Sequence, residues 1–158
     1  MDSLKPPTNP RYKVVRADHP EELEKCMAIR KEVFIDEQGY DIRIETNDDD
    51  AQCTHFLLIL DSGEPVGTVR VLNSNGQLGR FAILVPYRGM GLGRPLIEAV
   101  HDHVRSVGGK EVWCQSQAST EDGGVDATGF YRRCGYVNQG EAFMKEGTLH
   151  QNMVFTLA

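Results

Sequence analysis

Between a run of strand-type residues and the best amphipathic stretch of the chain stands Arg88-Gly89-Met90-Gly91-Leu92-Gly93-Arg94, and this turn restricts the architecture more than any other segment. Three glycines at alternate positions let the backbone take positive φ and come close to a ligand. A helix that opens directly from such a turn leaves its first N–H groups without intrahelical partners. Those donors, with the positive end of the helix, suit a phosphate. Arg88 and Arg94 can add charge-assisted hydrogen bonds to a pyrophosphate. The dinucleotide fingerprint G-x-G-x-x-G does not fit, because Arg94 or Leu96 stands where a glycine is required. The Gly-Lys-Ser/Thr of a P-loop is absent as well. What fits is Arg-x-x-Gly-x-Gly, from Arg88 to Gly93.

The segments around the turn order themselves by periodicity. Leu92, Leu96, Ile97, Val100, Val104 and Val107 share one helical face, and Gly108-Gly109 ends it. Before the turn, residues 55–60, 65–72 and 77–85 read as three strands in series. Asp61-Ser62-Gly63-Glu64 and Asn73-Ser74-Asn75-Gly76 join them. Residues 12–16 form a first short strand. Asp18, with Glu21 in capping-box spacing, starts a helix reaching Phe34 or Glu37. Leu23, Cys26, Met27, Val33 and Phe34 mark its apolar face, and Gly39 breaks it. Residues 111–115 form a fifth strand, parallel to the fourth through a right-handed crossover. Asp126 caps a short helix to Cys134, with Gly135 as its C′ residue. Strands at 136–139 and 149–157 close the sheet. Residues 1–10 read as a loose tail and 11–158 as one domain, a length that closes a core without staples.

Composition narrows the function. The formal net charge of −6 opposes nucleic-acid binding. No apolar run approaches a membrane span and no signal pattern opens the chain. A cytoplasmic location follows by default, a nuclear one being compatible. Cys26, Cys53, Cys114 and Cys134 have no metal-ligand spacing, so no metal is expected and burial as small apolar residues is their plainest role. Cys114 is the one candidate nucleophile among them.

The glycine turn resembles the coenzyme A pyrophosphate loop of the GNAT N-acetyltransferases. Four further segments, in the family's order, are similar to its ElaA-like and YjcF-like subgroup. They are Ile29-Arg30-Lys31-Glu32-Val33-Phe34 with Glu37-Gln38-Gly39, Gly79-Arg80-Phe81-Ala82-Ile83, Phe130-Tyr131-Arg132-Arg133-Cys134-Gly135-Tyr136, and Phe143-Met144-Lys145-Glu146-Gly147-Thr148-Leu149-His150. The resemblance implies a three-layer α/β/α fold of the α+β class. Its mixed, mostly antiparallel sheet has seven strands, splayed between the fourth and fifth, with about four helices.

It also implies acyl transfer, with acetyl-CoA or coenzyme A as co-substrate, to a primary amine on a small molecule or a protein. The alternative is an acyl-CoA binder without turnover. Phe81, Ala82, Ile83, Leu84, Arg88, Gly89, Met90, Gly91, Leu92, Gly93, Arg94 and Tyr131 would hold the coenzyme. Ile83 would supply the N–H that polarises the thioester. Tyr131 would be the general acid, and Glu37, His55 and His150 are the candidate bases. Phe34, Glu37, Arg80 and Gln115 would face the acceptor.

Two departures from the family stand out. Proline sits one place later, at Pro86, and Gly124 occupies the place of an asparagine that contacts the coenzyme. Gln117 or Asp126 could replace it. The acidic stretch 36–50 reads as a solvated loop, with a pocket for a cationic amine as its alternative. The apolar last strand, at Met153 to Leu157, could pair with a second copy at a sheet edge.

Overall fold

The computed structural model describes residues 9–42, 48–118, 126–145 and 147–157. Its elements are β1 (Tyr12–Arg16), α1 (Pro20–Arg30), β2 (Cys53–Leu60), β3 (Pro65–Leu72), β4 (Gln77–Ile83), α2 (Gly93–Ser106), β5 (Glu111–Gln117), α3 (Thr128–Arg133), β6 (Val137–Asn138), β7 (Phe143–Lys145) and β8 (Thr148–Thr156). The sheet runs β1-β2-β3-β4-β5-β8-β6, with β7 paired to β8. Every pairing is antiparallel except β4 with β5. The described residues form eight strands where the sequence suggested seven. The extra one is β7, which folds onto β8 through Gly147 at φ 75°. Three α-helices, a π-helix at Lys31–Glu37 and short 3-10 turns at Asp48–Gln52 and Val85–Tyr87 are the helical elements of the described residues.

Helices cover both faces. On one, α2 lays Leu96, Ile97, Val100 and Val104 on Phe56, Leu58, Val69, Val71, Leu78 and Val112, and Tyr131 of α3 joins this core. On the other, Cys26 and Ile29 of α1, and Val33 beyond it, pack on Leu57 and Ala82. Along β2, alternation sends Phe56, Leu58 and Leu60 to one core and Leu57 and Ile59 to the other, which is why that strand reads as almost continuously apolar.

The cap of α1 is one residue later than the sequence suggested. His19 is the N-cap, and its N–H donates to Glu22 at 3.3 Å. Asp18 is instead drawn to Arg16, which donates at 2.8 Å. Beyond Arg30 the helix continues as a π-helix, Lys31–Glu37.

The last strand does not offer a free edge. β8 lies between β5 and β6, so the sheet-edge pairing with a second copy suggested for Met153 to Leu157 loses its basis. No helix among the described residues is long and apolar enough to cross a membrane.

Candidate active site

Strands β4 and β5 meet only at Gln77↔Trp113 and Leu78↔Cys114. Beyond that seam β4 stays with β3 and β5 stays with β8, so the two diverge. A bulge sharpens the divergence. The β3–β4 register shifts between Thr68 and Arg70, and Arg80 takes φ 49°. The result is a wedge-shaped cleft of about 840 Å³ through the middle of the sheet.

One backbone group is aimed into it. Leu84 N–H donates to Val66 C=O at 2.9 Å. Antiparallel pairing alternates, so the N–H and C=O of Ile83 turn away from β3 and toward the wedge. The carbonyl is already occupied, because Arg88 Nε donates to it at 2.8 Å. The N–H faces the cleft.

At one end of the wedge lies the glycine turn. Gly89 and Gly91 have φ of 78° and 77°, and no atom lies within 4 Å of where their Cβ would be. The backbone is thus open to a ligand, as close phosphate contact requires. Gly93 is needed for a different reason, since its Cβ would meet Phe81 Cζ at 2.8 Å and Phe130 Cζ at 3.1 Å. Those rings stack 5.2 Å apart and wall the cleft. Pro86 is accommodated in the Val85–Tyr87 turn, where Tyr87 N–H reaches Leu84 C=O.

Arg88 is not a loose cation beside the turn. Its two terminal nitrogens donate to the two oxygens of Glu37, each at 2.7 Å. With Nε on Ile83, three of its five N–H groups tie the end of the π-helix to the end of β4. Arg88 nevertheless lines the cleft, as the sequence suggested. Glu37 departs from its expectation as a base, since it is engaged at both oxygens and lies off the cleft wall. Among the described residues Arg94 has an exposed pair with Glu98 at 3.3 Å, and it lines the cleft, where it is within reach of a phosphate.

Of the other candidate bases, His55 is buried away from the cleft, with Nε2 3.0 Å from the Asp50 carbonyl. Burial pushes its pKa down. His150 lies on the cleft wall. Its Nδ1 is 2.8 Å from the Thr148 carbonyl, which can only accept, so Nδ1 carries the proton and Nε2 the lone pair. The ring stacks on Phe143 at 6.1 Å.

Tyr131 also lines the cleft, buried beneath Phe81, Phe130 and Tyr136. Burial drives its pKa well above the usual phenol value. Cys114 lies close by, and burial raises its thiol to about 12. It therefore stays a thiol, which removes it as a nucleophile.

Phe34, Arg80, Ala82, Leu92 and Gln115 are on the wall as well. Leu84 and Met90 instead pack into the two cores. Gly124 lies outside the described residues. Asp126 accepts from the N–H and hydroxyl of Thr128, at 3.0 and 2.6 Å, but stands one residue before the N-cap of α3, which is Ala127, and does not join the cleft. Gln117 is on the wall and donates to the Tyr40 hydroxyl at 2.9 Å.

Sequence reasoning missed Arg70, Tyr40, Gln38 and Lys145 on the wall. Only Arg70 had a local signal, as a charge inside an otherwise apolar strand. The acidic stretch also differs from a solvated loop at Asp50. Burial would raise that carboxyl, but hydrogen bonds and charge from Arg30 and Arg70 outweigh it and hold the pKa low. Arg30 donates to both oxygens, at 2.9 and 3.2 Å, and Arg70 donates to the first.

A mixed sheet parted at its parallel pair, with a phosphate-type turn at the mouth of the gap, defines an acyl-coenzyme A transferase scaffold. Comparison with known proteins agrees. The family model described as an acetyltransferase (GNAT) domain matches residues 17–157. A Bacillus subtilis protein whose name assigns it to the acetyltransferases is 35% identical over 135 residues, 82% of this chain and 86% of that protein. Among solved structures, a Lactobacillus plantarum protein described as an N-acetyltransferase superposes with a TM-score of 0.82 at 24% identity, covering 94% of this chain and 99% of the other. Escherichia coli ElaA does so with a TM-score of 0.73 at 20% identity, over 92% and 98%. The chain belongs to the GNAT family of acyl-CoA-dependent N-acetyltransferases.

Proposed function

We propose that the protein transfers an acetyl group from acetyl-CoA to a primary amine by direct attack on the thioester, in a cytoplasmic setting. The observation that carries this reading is the Ile83 N–H, turned into a wedge with a phosphate-type turn at one end and His150 on its wall. Acyl transfer builds negative charge on the carbonyl oxygen, and a fixed N–H stabilises it without reorganising. The free N–H groups of the glycine turn, the start of α2 and Arg94 would hold the pyrophosphate.

His150 is the best-placed base. Its Nε2 lone pair can take a proton from the attacking amine, directly or through water. An alkylammonium holds its proton to a pKa of about 10.4, so this step matters at neutral pH. Tyr131 keeps its phenolic proton and can donate it to the departing thiolate. Arg88 and Glu37 act together as a brace that sets the Ile83 carbonyl, and hence its peptide plane.

Thermal unfolding with coenzyme A, acetyl-CoA, ATP and NAD tests the first part. A ligand at 100 times its Kd adds about 2.7 kcal/mol, a shift of roughly 5–10 °C for this size. The shift is expected with the two coenzyme A species alone and is expected to be absent in a folded Gly91→Glu. Shifts with ATP or NAD, or with nothing, would overturn the reading. Thiol release with an amine panel tests the second part, and Tyr131→Phe should slow it. Unchanged turnover in that variant would end the acid assignment alone.

A further inference from the structure

We propose that the chain's own Lys145 is an acceptor, acetylated within the same molecule that binds the acetyl-CoA. This deepens the acetyl-transfer reading and rests on it. Among the described residues, Lys145 is the one lysine on the cleft wall. It stands in β7, and its Nζ donates to Gln115 Oε1 in β5. Those two strands lie on opposite sides of β8. Lys145 is opposite Thr148, and Gln115 is opposite Asn152. His150 stands on β8 between those positions, two residues from each. Alternation therefore puts Lys145, His150 and Gln115 on one face of the sheet. To reach Gln115, the Lys145 stem has to cross the rung that carries His150, which pairs Phe143 on one side and Gln117 on the other. The chain thus lays a primary amine of its own across the candidate base.

The coenzyme approaches this place from the other end. Its pyrophosphate belongs at the glycine turn, which follows β4, whereas the seam with β5 lies at the start of β4. An arm laid along β4 therefore points its acyl group toward the seam. Gln115 is the first residue of β5 beyond that seam. The lysine amine is held there by a neutral amide, on a flexible four-carbon stem, so it can leave Gln115 for the thioester carbon. In the transfer, Nζ gives one proton to His150 Nε2 and attacks the acyl carbon. The C–N bond forms as the C–S bond breaks. A second amine proton ends on the coenzyme sulfur by way of Tyr131, and His150 releases the first to water. The products are N-acetylated Lys145, coenzyme A thiol and a proton, and the wall loses a positive charge.

The test incubates the full chain with isotopically labelled acetyl-CoA and follows each lysine by peptide mass spectrometry. The other lysines report uncatalysed acetylation in the same sample. Lys145 is expected to be labelled at least tenfold faster than any of them, at a rate per molecule that does not change on dilution. In folded Gly91→Glu and His150→Gln it should fall to the rate of the others, and Lys145→Arg should remove the fast label. Lys145 already acetylated on isolation of the wild type, and unmodified in Gly91→Glu, supports the proposal equally. Labelling no faster than at the other lysines overturns it, as does fast labelling that persists in Gly91→Glu. A rate per molecule that rises with protein concentration overturns it too, because one copy is then acting on another. If Lys145 stays unlabelled while coenzyme A gives its thermal shift and the amine panel releases thiol, the acetyl-transfer reading stands and this proposal alone falls. Absence of any thermal shift with coenzyme A overturns that reading, and this proposal with it.

Discussion

His150 and His101 show how differently one residue type can be used within 158 residues. His150 lies on the cleft wall, and with the base role proposed above His150→Gln should lower kcat/KM by about 10²–10⁴ in steady-state kinetics. His101 is buried in α2, 2.7 Å from the Tyr136 hydroxyl and stacked 4.1 Å from Phe155. Burial lowers its pKa from 6.5 to about 4. Its folded form resists a proton that the unfolded chain accepts. Stability is therefore intact above about pH 6.5 and declines as pH falls toward 4, by no more than about 3 kcal/mol. Urea midpoints over this range should fall less steeply in His101→Gln. Asp50 acts at lower pH. Its carboxyl is held below 3.8, so its contribution is present above that value and lost as pH falls beneath it. Asp50→Asn removes the carboxylate that Arg30 and Arg70 share and should lower the urea midpoint at neutral pH. Neither role was legible in the sequence. Arg30 and Asp50 are 20 residues apart, and Arg88 and Glu37 are 51 apart, so local pattern cannot pair them.

Elements proved more legible than partners, because period and punctuation are local. The β3 bounds 65–72 coincide with the hydrophobic run, and α2 ends where Gly108 takes φ 86°. The cap of α1 slipped by one residue because Asp18/Glu21 and His19/Glu22 have the same spacing. Only the Arg16–Asp18 pair in three dimensions decides between them. β7 was missed as a separate strand because three residues carry no period. The glycine turn can be tested as an element. Gly93→Ala places a methyl carbon against the stacked Phe81–Phe130 pair. It should cost about 1–3 kcal/mol in thermal or urea unfolding, and it should weaken coenzyme A binding by calorimetry because those rings wall the cleft.

At the scale of the whole molecule, the antiparallel series β2-β3-β4 and the parallel β4–β5 pair followed from the sequence, the insertion of β8 between β5 and β6 did not, and the parting of the sheet came only through family resemblance. No residue announces that Gln77 and Leu78 will pair with β5 and that Gly79 onward will not. The outcome is two half-sheets joined by one short parallel seam, with α2 packed across the join. Two links from the end of the first helix brace the opening, Glu37 to Arg88 and Tyr40 to Gln117. Exposed strand edges normally invite other chains to add to them. Here two such edges face one another inside the molecule, unpaired with each other beyond Leu78 and Cys114. A coenzyme laid along them, as proposed above, would act as a surrogate strand. The ligand would then be a structural part of the enzyme as well as a reactant.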